Sequence, residues 1–135
     1  MEKLHIKSTS HTPEIILSPA DYTYSICGMS SPEDVRAIYY PVIDWFKRFS
    51  DEIRKGTIVF TLTNPLKLKV NLEYFNSSSA KFLFDIFYEM KKMRTSGIPV
   101  IVEWHYQEGD LEMMEAGKDM SSYAEIDFTY IEDKG

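Results

Sequence analysis

Apolar residues recur along this chain at two spacings, every second position and every third or fourth, and each switch marks an element. At the start, Leu4 and Ile6 alternate with polar neighbours, His11-Thr12-Pro13 interrupts, and residues 14–17 resume the alternation. Pro19-Ala20-Asp21 is turn chemistry, and residues 22–27 alternate again before Gly28. Two or three short antiparallel strands are expected here. A helix should follow, with Ser31 as N-cap, Pro32 at its first position and Glu33 and Asp34 in its first turn. Val35, Ile38, Tyr39, Val42, Trp45, Phe46, Phe49 and Ile53 carry its apolar stripe. Pro41 lies inside the stripe and predicts a kink or a break, and Lys55-Gly56 ends it.

Residues 57–63 read as a strand and Asn64-Pro65 as a turn. From Leu66 the alternation is strict. Leu66, Leu68, Val70, Leu72 and Tyr74 fall on one face, and Lys67, Lys69, Asn71 and Glu73 on the other. Asn76-Ser77-Ser78-Ser79 stops this strand and opens a helix to about Arg94, with Phe82, Leu83, Ile86, Phe87 and Met90 as its stripe. Residues 98–106 form a buried strand with Pro99 at its start, residues 111–120 an acid-rich helix, and residues 126–131 a last strand. Strand, helix, strand, helix, strand predicts an α/β fold: a mixed, partly parallel sheet with helices packed on it.

The chain has 135 residues, which is one domain's worth, and no repeat or linker divides residues 1–135. Fifteen Lys and Arg against 21 Asp and Glu leave a formal charge of −6, which argues against nucleic acid and anionic membrane as partners. The single Cys27 can form no internal disulfide and no cysteine-based zinc site. With no apolar leader and no long apolar run, a cytoplasmic protein is expected.

The densest candidate chemistry is the serine run at a strand-to-helix junction. Four consecutive small polar residues exceed the needs of one cap. Their hydroxyls would stand beside unpaired amides at the positive end of the helix dipole, where a phosphoryl group is well received. The bland alternative is that one residue caps the helix and the rest fill the turn. Ser78-Ser79-Ala80-Lys81 also matches S-x-x-K, a serine nucleophile with its lysine one turn on, although the companion S-D-N and K-T-G elements are missing. His5, His11 and His105 do not share metal-ligand spacing, and the acidic residues from Glu108 to Asp119 lack the EF-hand pattern. Neither metal nor cofactor is expected. His105, between Trp104 and Tyr106, reads as an outward-facing strand residue.

Leu72-Glu73-Tyr74-Phe75-Asn76-Ser77-Ser78-Ser79-Ala80-Lys81 carries a family resemblance. The chain resembles the SiaC family of bacterial regulatory phosphoproteins, whose hallmark reads leucine-glutamate-tyrosine-phenylalanine-asparagine-threonine-serine-serine-serine-lysine. Thr12-Pro13-Glu14, Gly28-Met29-Ser30-Ser31-Pro32-Glu33, Tyr40-Pro41-Val42-Ile43-Asp44-Trp45, Val102-Glu103-Trp104-His105-Tyr106 and Met114-Glu115-Ala116-Gly117 match in the same order. The resemblance implies a STAS-like domain without catalytic residues, phosphorylated by a dedicated Ser/Thr kinase and reset by a PP2C-like phosphatase. It implies that the unphosphorylated form binds and activates a diguanylate cyclase. The acceptor position falls on Ser77, with Ser78 the second choice. Tyr74, Phe75, Asn76, Ser78 and Lys81 are the partner-binding candidates. Ser77 replaces the usual threonine, Ala80 replaces a serine, and residues 56–65 look longer than usual. Two other functions remain open: a small hydrolase using Ser78 and Lys81, and a constitutive interaction module whose serines only cap a helix.

Overall fold

The computed structural model describes residues Met1–Gly135. Six strands and three helices follow one another as β1 (Leu4–Ile6), β2 (Glu14–Ser18), β3 (Thr23–Ser30), α1 (Val35–Arg54), β4 (Leu66–Phe75), α2 (Ser77–Thr95), β5 (Val100–Gln107), α3 (Leu111–Ala124) and β6 (Phe128–Asp133). The strands lie in one sheet in sequence order. β1, β2 and β3 pair antiparallel, while β3 through β6 pair parallel. Each parallel step needs a crossover, and α1, α2 and α3 supply them. Because every crossover steps the same way along the sheet, right-handed connections bring all three helices to one face. Burial agrees: Leu66, Leu68, Val70 and Leu72 are at most 3% exposed, whereas Lys67, Lys69 and Glu73 on the opposite face are exposed. No helix is long and apolar enough to cross a membrane. The mixed α/β sheet expected from the alternation is the observed one.

Four local expectations give way to tertiary context. The first helix starts at Val35 rather than after Ser31, and Asp34 caps it by accepting from the Ala37 amide at 3.3 Å. The Ser31 amide is committed to the His11 carbonyl at 2.8 Å, which holds residues 31–34 outside the helix. Pro41 does not break α1, which runs unbroken through it. Both Pro41 and Ala37, whose carbonyl loses its partner there, lie on the solvent side, where water can replace the missing bond.

Residues 57–63 form no strand. Thr61 and Asn64 close a small turn by exchanging backbone bonds of 3.1 Å, and no strand of the sheet pairs with this segment. Phe60 anchors this loop in the core against Tyr24 and Phe49, leaving Val59 and Leu62 exposed. Finally, Tyr74 leaves the buried face of β4. The pairing with β3 passes from Gly28–Leu72 to Met29–Tyr74, so Glu73 is an extra residue in the ladder. Gly28 takes a φ of +108° there, which a glycine adopts freely. The bulge turns Tyr74 outward and brings Phe75 edge-on to the Trp104 ring, with centroids 6.0 Å apart.

Trp104, fully buried, organises the far half of the core. Its ring stacks on Phe128 and its Nε1 donates to the Met113 carbonyl of α3 at 2.9 Å. α3 lies so close that a Cβ on Gly117 would sit 2.5 Å from the indole Cδ1 and Nε1. Glycine is therefore required by contact, not by its dihedrals. Gly117→Ala should push α3 off the indole and cost about 1–3 kcal/mol, as overpacked cores do. Denaturant unfolding measures the loss, and an unchanged midpoint with unchanged Trp fluorescence would contradict this close approach.

Candidate functional site

The three helices begin at the carboxyl ends of the parallel strands, so their capped N-termini gather along one edge of the sheet. At the middle of that edge stands the serine run. Asn76 caps α2: its Oδ1 accepts from the Ser79 amide at 2.9 Å and from the Ser78 hydroxyl at 3.1 Å. Its own amide donates to the Ser30 carbonyl at 3.0 Å, fixing the turn to the end of β3. Ser77 is the first residue of α2 and is exposed. By helix geometry the amides of Ser77 and Ser78 have no intrahelical acceptor, and no acidic side chain occupies this first turn.

The four polar residues thus divide into different roles. Asn76 is the cap. Ser78 is exposed and bonded to it. Ser79 is fully buried, its hydroxyl donating to the Ser30 carbonyl at 3.0 Å. Ser77 is exposed, and its hydroxyl takes part in no hydrogen bond within the chain. Lys81 turns away from Ser78: its Nζ pairs with Asp85 at 2.6 Å and lies 4.8 Å from the centre of the Phe82 ring. An S-x-x-K dyad needs that lysine free to take a proton from serine, so the hydrolase reading has no geometric support.

Beside the serine run, a groove of about 620 Å³ opens between α2 and α3. Phe75, Ala80, Phe84, Ala116 and Met120 give it an apolar lining, with Lys81 and Asp119 among its polar residues. Tyr123 in its lining is 74% exposed, and Tyr74, 51% exposed, lines a smaller depression beside it, so both leave large aromatic surface in water. Glu73, Asp110 and Glu112 meet in that depression, on the other side of Phe75. The structure therefore brings Tyr74, Phe75, Asn76, Ser77, Ser78 and Lys81 to one edge.

No group of three or more His, Cys, Asp or Glu side chains is arranged to hold a metal. His105 departs from its expected exposure. It is only 9% exposed, with Nδ1 3.1 Å from Asp133 and Nε2 3.6 Å from Glu103, so two carboxylates close over it. Burial pushes the Cys27 thiol up from its ordinary range. Two residues of the site escaped sequence reasoning. Ser30 and Tyr39 are fully buried, and the Ser30 Oγ lies 2.6 Å from the Tyr39 Oη and 2.8 Å from the Ser79 Oγ. Tyr39 lies in an apolar stripe and Ser30 just ahead of the expected helix cap Ser31, and neither position announces a hydrogen bond.

An α/β sheet with all helices on one face and an Asn76-capped, serine-rich helix start exposed at its edge is the architecture of a STAS-like domain. Residues 6–133 match the SiaC family regulatory phosphoproteins, and the chain belongs to that family. It is 34% identical over 106 residues to an uncharacterized protein of Pseudomonas aeruginosa strain UCBPP-PA14, covering 78% of this chain and 77% of that one. Among solved structures it resembles apo-SiaC of Pseudomonas aeruginosa, with a TM-score of 0.82 at 29% identity over 97% of this chain and 99% of that one. It equally resembles a chain of the diguanylate cyclase SiaD in complex with its activator SiaC, from the same organism, with a TM-score of 0.82 at 28% identity over 96% and 99%. Membership makes the chain a regulatory protein rather than an enzyme.

Two measurements check this geometry. Asn76→Ala removes the cap and should destabilise the fold by about 0.5–2 kcal/mol in denaturant unfolding; no loss would mean the turn is held without Asn76. The second concerns alkaline pH. Burial holds the phenols of Tyr24 and Tyr39 above the ordinary tyrosine value of about 10. The folded state then keeps protons that the unfolded state releases, so stability present below pH ~10 is lost as pH rises further. A phenolate absorbance titration should show a late-ionising component, and Tyr24→Phe and Tyr39→Phe should each remove part of it.

Proposed function

We propose that this chain is a cytoplasmic partner-switching protein whose state is a phosphoryl group on Ser77. The reading is supported above all by the contrast within the serine run: Ser77 is exposed with its hydroxyl unengaged, while Ser78 is tied to Asn76 and Ser79 is buried. A Ser/Thr kinase would supply the phosphate and a PP2C-like phosphatase would remove it. The unphosphorylated chain would bind a diguanylate cyclase, as the Pseudomonas aeruginosa activator SiaC is found with SiaD.

The docking surface in this reading is the aromatic edge beside the acceptor: Tyr74, Phe75, Asn76, Ser78 and Lys81, continued by the α2–α3 groove. A phosphoserine adds about −1.5 to −2 charges at pH 7. Placed in the middle of that surface, it would impose bulk and a hydration shell that apolar contact cannot accommodate. Ser77 itself is not the cap, so its hydroxyl can be modified without removing a bond on which α2 depends.

Ser77→Ala should abolish phosphorylation, leave the partner-binding state permanently on, and change stability by no more than about 0.5 kcal/mol. Ser77→Asp should weaken partner binding only in part, because one carboxylate has less charge and fewer oxygens than phosphate. Tandem mass spectrometry after incubation with ATP and the kinase decides the position. Phosphate on Ser78 with Ser77 bare would refute the assignment, and phosphate on neither would return the chain to a constitutive interaction module.

A further inference from the structure

Behind the exposed serines lies a second, buried set of hydroxyls. Ser30 closes β3, paired with Phe75, and its carbonyl accepts from both the Asn76 amide and the Ser79 hydroxyl, each at 3.0 Å. Because the Ser79 proton goes to that carbonyl, the Ser30 hydroxyl must donate to the Ser79 Oγ at 2.8 Å. The remaining contact, 2.6 Å between Ser30 Oγ and Tyr39 Oη, then has the phenol as donor. The proton order is fixed throughout: Tyr39 to Ser30, Ser30 to Ser79, Ser79 back to the Ser30 carbonyl. All three residues are fully buried, and the Tyr39 ring stacks within 6° of parallel on Phe82 in the second turn of α2.

Capping α2 requires only Asn76, so this network does something beyond capping. Buried polar groups cost stability unless each is satisfied, and when satisfied they select one arrangement where apolar packing would permit several. Here the arrangement selected is the angle at which the 76–79 turn leaves the sheet, read simultaneously from β3 and α1. Phosphoryl transfer depends on placing the acceptor oxygen in line with the donor phosphate, and small displacements are costly in rate.

We propose that the Tyr39–Ser30–Ser79 hydroxyl relay is the positioning device that presents the Ser77 Oγ for phosphoryl transfer, with Ser79 a positioning residue and not an acceptor. The proposal rests on Ser77 being the acceptor. Tyr39 must stay neutral to donate, and its burial keeps it so.

The test uses the full chain with Ser79→Ala and, separately, Tyr39→Phe, which removes one oxygen and leaves the ring on Phe82. Amide hydrogen exchange is followed across residues 76–80, and kcat and KM are measured for ATP-dependent phosphorylation by the kinase that modifies the unaltered chain. Exchange in the 76–80 turn should rise about tenfold, the scale of one lost buried hydrogen bond, while the second half of α2 exchanges as before. The kcat should fall about tenfold with KM held within about twofold, since the docking surface is untouched. Turn exchange and kcat both at the unaltered level would overturn the relay. A uniform rise of exchange along the chain would reduce it to ordinary core stability. If the unaltered chain carries no phosphate on Ser77, the acceptor reading fails, and a turn that still loosens in the variants leaves an anchor with no presentation role.

Discussion

The parallel pairing of β4 between β3 and β5 is the constraint from which the rest of this structure follows. A parallel strand cannot be reached by a hairpin, so each step across the sheet requires a helix, and each helix must start where a strand ends. With every crossover on one face, the starts of α1, α2 and α3 are forced to a common edge. That edge collects unpaired amides and helix dipoles before any functional residue is chosen. The sequence then treats the three starts differently. Asp34 and Asp110 bring a carboxylate cap to α1 and α3, whereas α2 has the neutral Asn76 and no acid in its first turn. The amides at the start of α2 are thus the ones at this edge not already facing a carboxylate of their own helix.

Around that start, packing links the surface to the core with few intermediates. The bulge at Glu73 sends Tyr74 to solvent and Phe75 to Trp104, so adjacent residues face water and the core. Trp104 in turn holds α3 through the Met113 carbonyl and the missing side chain of Gly117. The two helices that flank the groove are therefore anchored differently, α2 by Asn76 and Ser79 and α3 by Trp104.

How far the sequence reveals this depends on the range of the interaction concerned. Alternation in β4 and the stripe of α2 are local, and both strand and helix lie where the pattern puts them. Residues 57–63 also read as a strand, yet form a loop, because no strand of the sheet pairs with them. Tyr74 keeps the register of its own strand but not of the pair, since the extra residue is visible only against Gly28 and Met29. The Ser31 cap fails too: its amide donates to the His11 carbonyl, twenty positions earlier in the chain, and Asp34 caps the helix instead. Within the site, the hallmark stretch from Leu72 to Lys81 was legible because it is contiguous. Ser30 and Tyr39 were not, since Ser30 and Ser79 stand 49 positions apart and are joined only by the fold.

The same geometry explains why a phosphoryl group on Ser77 would act at the surface and leave the domain folded. At the first residue of α2 it would be attracted by the helix start, an interaction of about 0.3–1 kcal/mol for an exposed anion. Glu73, Asp110 and Glu112 nearby would repel it, and at solvent-exposed sites such pairwise terms are of similar size and screened by salt. The two contributions oppose each other, and neither approaches the several kcal/mol by which a domain of this size is stable. What changes is the character of the edge. Apolar and aromatic surface from Tyr74, Phe75 and the α2–α3 groove, suited to burial against a partner, would acquire an anion that has to be desolvated before contact. Serine in place of threonine at this position would leave the proposed acceptor oxygen in place and remove only a methyl group. Ala80 in place of serine lines the groove with one more apolar side chain. On the proposed reading, both departures from the family pattern would keep the switch in place, and the second would make the surface beside it less polar.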